Sequence, residues 1–251
     1  MTISLGIICR KSIVLATDMQ ASFPGTSHKN NEADKLHEFD FGGVYAVVVM
    51  SGGLDYFDSL VERLEMQAQK TTVKNQRSIP DAVEAAIREV KASLRRNSVP
   101  PKKGKEWSRV FSDNGCQVLV AFCHDGQTLS LYRADFLDGQ ARAVRSSYAM
   151  LGTPQVLVDY ILAEARPDEM KTSGGMALAT YVVQMAKDHD QFCGGRTRLA
   201  IVYPEIPWIL AQTEIAPFVK AATDFERSNI GSWSKNLTKF LPKDIDDTYE
   251  H

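Results

Sequence analysis

The sequence predicts an α+β protein in which two mainly antiparallel sheets lie face to face and helices cover both outer faces, a four-layer αββα sandwich. Three observations lead there. Short apolar or alternating segments of strand length occur in three groups, and two blocks of helical periodicity separate those groups. Within a group the segments are joined by short polar turns, which favours antiparallel pairing. The resulting order is strands, two helices, strands, two helices, strand, and each helical pair needs an apolar sheet face to cover. The 251 residues, 44% hydrophobic and 24% charged, are ordinary for a globular chain and exclude disorder and low-complexity scaffolds.

The elements follow in order. Residues 3 to 9 alternate, with Ile3, Leu5, Ile7 and Cys9 on one side, and after Arg10-Lys11-Ser12 the chain returns through Ile13 to Thr17 as a hairpin. A third strand, Val44 to Met50, is apolar on both faces, predicts burial on both sides, and stops at Ser51-Gly52-Gly53. Leu54, Phe57, Leu60, Val61 and Leu64 then recur at three and four. Val83, Ile87, Val90 and Leu94 do the same after the start signal Ser78-Ile79-Pro80-Asp81. Asn97 to Ser108, with Pro100-Pro101 and three lysines, reads as a solvated loop rather than a phosphate-binding patch. Strands follow over Cys116 to Cys123, Thr128 to Ala134 and Ala141 to Met150. Helices over Gln155 to Arg166 and Gly175 to Lys187 are apolar enough all round to be sandwiched, and Arg198 to Tyr203 is a strand. Beyond Pro204 the pattern is irregular. The expected organisation is therefore one domain over 2–203 and an extension over 204–251 that packs on the domain or on a neighbouring subunit.

Composition narrows the function classes. With 29 Lys and Arg against 31 Asp and Glu, the net charge of -2 gives no global argument for nucleic acid or an anionic membrane. The longest apolar stretches fall far short of the ~20 residues of a membrane span. The opening residues lack the features of a secretory signal, so a cytoplasmic location is expected. Cys9, Cys116, Cys123 and Cys193 have no paired C-x-x-C spacing, which predicts reduced thiols rather than zinc or a disulfide framework. His189-Asp190 and Cys123-His124-Asp125 lack a partner pair at ligand spacing, and no phosphate-cradling glycine run occurs. No metal or cofactor is expected.

The chemistry is expected at Thr2. Met1 precedes a small side chain, so removal of the initiator methionine would leave a threonine that carries nucleophile and base together: its hydroxyl attacks a carbonyl and its amine accepts the proton. That amine suits the task, since its unperturbed pKa is about 7.7 to 8. Further pieces appear in order: Val14-Leu15-Ala16-Thr17-Asp18-Met19-Gln20-Ala21-Ser22, then Asp34-Lys35-Leu36-His37, Ser51-Gly52-Gly53, Leu151-Gly152-Thr153, and Asp190-Gln191-Phe192-Cys193-Gly194-Gly195. Together with the leading threonine, these resemble the proteasome β-type subunits and their bacterial proteasome-like relatives, members of the N-terminal nucleophile (Ntn) hydrolases, over Thr2 to about Tyr203.

The resemblance implies the αββα Ntn fold and hydrolysis of peptide or other amide bonds through an acyl-enzyme ester. It places the Lys35 ammonium beside the Thr2 hydroxyl, with Asp18 holding the lysine and the Gly52 N–H facing the oxyanion. Thr153, Asp190 and Cys193 surround the Thr2 amine, Thr153 and Cys193 standing where the family has serines. Ala21, Ser22, Met50 and Leu54 line the substrate pocket, which implies a preference for apolar side chains. Partners implied are a peptide or protein substrate, further copies of the chain in a ring or related assembly, and an ATP-dependent unfoldase as a candidate feeder. Two alternatives stand beside this reading: a non-catalytic proteasome-like subunit that keeps Met1, and a small-molecule amidase on the same scaffold.

Overall fold

The computed structural model describes residues 3–22, 29–97, 116–152 and 155–237; at some positions inside elements, Ser22 and Leu54 among them, it describes the backbone alone. The N-terminal half runs β1 (Ile3–Ile8), β2 (Ile13–Asp18), β3 (Ala21–Ser22), β4 (Lys29–Asn30), β5 (Leu36–Asp40), β6 (Tyr45–Ser51), α1 (Leu54–Lys70) and α2 (Ser78–Asn97). The second half runs β7 (Gln117–Cys123), β8 (Leu129–Asp135), β9 (Ala141–Ala143), β10 (Tyr148–Gly152), α3 (Gln155–Ala165), a 3-10 turn at Pro167–Glu169, α4 (Thr172–His189), β11 (Thr197–Val202), β12 (Pro207–Ile209) and α5 (Gln212–Leu237).

Ten of the strands form two five-stranded sheets, ordered β10-β1-β2-β11-β12 and β5-β6-β7-β8-β9, while β3 and β4 pair separately, and every neighbouring pair is antiparallel. Alternation along each strand sends side chains to opposite faces. On β2, Ile13 and Leu15 point into the layer between the sheets, where they meet Val47 and Val49 of β6 and Leu119 and Ala121 of β7. Val14 and Ala16 of the same strand point the other way, to Val158 and Leu162 of α3 and to Ala179 and Val183 of α4. On β6 the alternate residues Ala46, Val48 and Met50 face Phe57, Leu60 and Leu64 of α1 and Val83 and Ile87 of α2. Three apolar layers thus separate four layers of secondary structure, and the sandwich expected from the sequence is the architecture found. The double burial expected for the third strand holds for β6, buried from Ala46 to Ser51.

Several elements differ from expectation. The single strand expected over Ala141 to Met150 is two strands in different sheets. The polar run Arg145-Ser146-Ser147 interrupts it, so β9 ends the second sheet beside β8 while β10 joins β1. β5 was not visible as a strand because Leu36-His37-Glu38-Phe39-Asp40 carries charge on its outer face; pairing with β6 decides it. Of the two helices expected to be sandwiched, α4 lies between the first sheet and α5, whereas α3 leaves Tyr160 69% exposed. The irregular stretch after Pro204 forms β12, paired to β11, and α5, packed on α4. Pro217 lies within α5, and Ile215 and Ala222 carry its buried contacts. The loop expected over Asn97 to Ser108 lies, beyond Asn97, outside the described residues. No helix among the described residues is long and apolar enough to cross a membrane.

Gly175 shows how closely α4 sits on the sheet. A Cβ built there falls inside the Cys9 sulfur and against Val14. Gly175→Ala is therefore expected to cost about 1–3 kcal/mol in urea unfolding, since a close-packed layer must shift to admit a methyl. Cys9→Ala in the same chain should recover part of that loss, because the two positions share one contact.

Candidate active site

The site is assembled at one end of both sheets by polar residues buried among apolar strands. Ser4 Oγ donates to the Met50 carbonyl at 2.9 Å and meets Thr17 Oγ1 at 2.9 Å, while Thr17 Oγ1 donates to the Ile3 carbonyl at 2.9 Å. These bonds tie the start of β1, the end of β2 and the end of β6 together, which the apolar layers alone would leave free to slide. Asp18, at the last position of β2, is wholly buried. Its Oδ1 accepts the Ile3 N–H at 3.2 Å and the Lys35 ammonium at 2.8 Å. Its Oδ2 accepts the N–H groups of Gln20 at 3.2 Å and Gly194 at 3.0 Å.

Lys35, just before β5, is 1% exposed and also donates to the Gln20 carbonyl. Its backbone carbonyl accepts the Met50 N–H at 3.0 Å, so the register of β5 on β6 fixes where the ammonium stands. Burial pulls the Lys35 pKa below its ordinary value, and the charge and hydrogen bond of Asp18 oppose that fall. Gly52 follows β6 with φ +132, a conformation that a side chain would strain, so glycine lets the chain turn sharply into α1 at this end of the sheet.

Asp190 and Cys193 close the turn after α4. The Asp190 carboxylate accepts the Phe192 N–H at 2.9 Å, and its carbonyl accepts the Cys193 N–H at 2.9 Å. The Gly194 carbonyl accepts the N–H groups of Met19 and Gln20, and the Gln20 side chain donates to the Gln191 carbonyl. The turn that carries Asp190 and Cys193 is thereby laced to the segment after Asp18. Burial first, then the charges of Asp18 and Asp190, push the Cys193 thiol up to about 12, although Lys35 opposes.

Of the residues expected at the site, the structure brings Asp18, Lys35, Asp190 and Cys193 into one connected group. Gly52 lies at the end of β6 beside Met50, whose backbone bonds Lys35. Thr2 and Thr153 lie outside the described residues, although their chain neighbours Ile3 and Gly152 are register partners across β1 and β10. Ala21 is buried on β3, Met50 is buried in the layer under α1, and Ser22 and Leu54 are placed by backbone in β3 and α1. Gln20, Gly194, Lys187 and Thr197 were not singled out from the sequence. For Lys187 a signal existed, because it continues the stripe Ala179, Val183 at a spacing of four on an otherwise apolar helix face.

A family model described as proteasome subunit matches residues 2–202. The chain belongs to the proteasome subunit family. Proteins named proteasome subunit beta from Methanocaldococcus sp. and Methanocaldococcus jannaschii are 26% and 25% identical to it over 215 residues, covering 85% of this chain and 87% of each of theirs. Among solved structures, Anbu from Pseudomonas aeruginosa, a helical assembly, aligns with a TM-score of 0.73 at 16% identity over 96% of this chain and 97% of that one. Anbu from Yersinia bercovieri, described as an ancestral beta-subunit, gives 0.71 at 16% over the same shares. These likenesses carry the fold: the family's sandwich is the one described above.

Two outcomes follow from the geometry. Removing one partner of the Asp18–Lys35 pair, by Asp18→Asn or Lys35→Met, is expected to cost about 3–5 kcal/mol in denaturant unfolding, because the other charge stays buried. The double variant should cost less than the sum. For thiols, iodoacetamide at about pH 8 is expected to alkylate half-exposed Cys123 well before Cys193, since only the thiolate reacts and burial suppresses it. Peptide mass spectrometry of the native protein reads the order directly.

Proposed function

We propose that this chain is a threonine-type N-terminal nucleophile hydrolase that cleaves peptide bonds after loss of Met1. The observation that carries this reading is the buried Asp18–Lys35 pair, whose carboxylate also holds the Ile3 N–H, the amide next along the chain from Thr2. An ammonium fixed at that point favours the ionised form of a nearby hydroxyl. The Thr2 oxygen forms the bond to the scissile carbonyl carbon while its proton passes to the Thr2 amine. That proton then goes to the departing amine as the C–N bond breaks, and water hydrolyses the ester. The Gly52 N–H is the donor for the oxyanion, and Thr153, Asp190 and Cys193 orient the amine. Ala21, Ser22, Met50 and Leu54 bound the pocket for the residue before the scissile bond. The chain works in an assembly of copies, which membership in the proteasome subunit family supports, and residues 204–251 extend the hydrolase domain over 2–203.

One observation favours a second reading, a non-catalytic subunit of the same fold. Cys193 stands where the resemblance expects a hydroxyl, and its neutral, buried thiol is a weak donor and acceptor for a proton relay.

Intact mass and reaction with a peptide vinyl sulfone separate the two. The catalytic reading expects a mature chain lacking Met1 and a single adduct on Thr2, abolished by Thr2→Ala with the fold preserved. A hydrolytically active chain that retains Met1, or an adduct that persists in Thr2→Ala, overturns it.

A further inference from the structure

Lys187 is a charged side chain where the helix pattern calls for an apolar one. It occupies the last turn of α4, one turn beyond Val183, on the face that α4 turns toward β1, β2 and β11. A leucine or methionine there would complete the apolar layer without the cost of removing an ammonium from water. Instead the Lys187 Nζ donates to Thr197 Oγ1 at 2.6 Å, and Gln184, one turn earlier, donates to the same oxygen at 3.0 Å. Thr197 is itself 3% exposed, its carbonyl accepts the Gln212 side chain at 2.9 Å, and it is the register partner of Asp18 between β11 and β2. A threonine anchored from three elements therefore holds this ammonium at the strand position that pairs with Asp18.

We propose that Lys187 is a positioning residue of the Asp18–Lys35 site: held by Thr197 behind the carboxylate, its ammonium sets the local charge that Asp18 and Lys35 share. The groups facing it are Asp18 from β2, Lys35 from the segment before β5, Asp188 of its own helix and Cys193 from the turn that follows. β11 presents Thr197, and its next residue, Arg198, is turned to Asp34; α5 presents the neutral Gln212. Burial is the first influence on Lys187 and brings its pKa down to about 8, the two carboxylates and Cys193 opposing and Lys35 assisting. The Lys187 ammonium thus changes state just above neutrality, beside a lysine that burial also pulls down and Asp18 holds up. Below that point Lys187 adds a positive charge near Asp18; above it, it adds none.

The sign of the stability effect follows. The folded-state value lies below the ordinary lysine value of 10.5, so between about 8 and 10.5 the unfolded chain binds more protons and Lys187 makes stability rise with pH. Lys187→Met removes that contribution while leaving those of the thiols, so the difference between wild type and variant isolates it.

The functional consequence rests on the hydrolase reading above, and the experiment is divided so that the two fail separately. In the first arm, trace acetylation with acetic anhydride across about pH 6 to 11, read by peptide mass spectrometry on the full chain, gives the titration of Lys187 without any reference to Thr2. The expected midpoint is near 8, displaced downward in Thr197→Val as the buried ammonium loses its hydrogen-bond acceptor, and downward in Asp18→Asn as the opposing carboxylate is lost. A midpoint at the ordinary lysine value, or one that neither variant moves, overturns the proposal. In the second arm, the rate of Thr2 labelling by the vinyl sulfone is followed over the same range. Lys187→Met should slow it roughly tenfold at neutral pH and remove an inflection near 8; Lys187→Arg should stay within roughly threefold of wild type, with the inflection carried beyond the range. A merely structural lysine would leave the shape of the profile unchanged, and that result overturns the proposal. If wild type is not labelled at Thr2, the hydrolase reading has failed, and the first arm alone decides whether Lys187 is coupled to Asp18.

Discussion

A carboxylate and an ammonium buried together at the end of two sheets organise the rest of this molecule. Taking either charge out of water is costly, and the cost is offset only because Asp18 gathers backbone N–H groups from the starts and ends of several segments as well as the Lys35 ammonium. The first strand, the turn after β2, the entry to β5 and the turn after α4 are consequently fixed relative to one another by one side chain. A pair so buried is a poor way to gain stability, since apolar residues would pack there at lower cost. Its presence at the point where the N-terminal strand begins is what singles this end of the sandwich out.

The layers were legible in the sequence wherever burial acts on both faces of an element. β6 reads as an unbroken apolar run because α1 and α2 lie on one side and the other sheet on the opposite side; the same logic makes α4 apolar nearly all round. Legibility failed where partners decide. β5 mixes charge with apolar residues because only its inner side chains are covered. The run from Ala141 to Met150 has one strand's composition yet serves two sheets, and no local pattern distinguishes a strand from a crossing between layers. α5 was hidden for a related reason: one layer out from the sheet, it needs few apolar contacts, so its periodicity is diluted by polar residues.

At the site, ordered motifs located Asp18, Lys35, Asp190 and Cys193, because each stands at a strand end or turn where spacing along the chain is constrained by the sheet. The residues that complete the network were invisible for a physical reason. Gln20 and Gly194 touch the buried pair through backbone groups, and only the tertiary fold reveals which of them point inward. Thr197 acts as a relay between helix and strand, a role that polar character in an edge-of-core position does not announce. The thiol at Cys193 shows the opposite case: its position was plain from sequence, while its protonation depends on the burial and charges that surround it.

The order of strands in the first sheet also bears on how the chain reaches this state. Among the described strands of this sheet β1 and β2 come first along the chain, yet they occupy its interior, and both flanks are supplied by β10 and β11, which lie beyond residue 147. Until those late segments arrive, the opening hairpin carries two bare ladders of amide and carbonyl groups and an uncovered apolar surface. Such long-range closure is slow, and the nascent hairpin needs shelter from pairing with other chains in the interval.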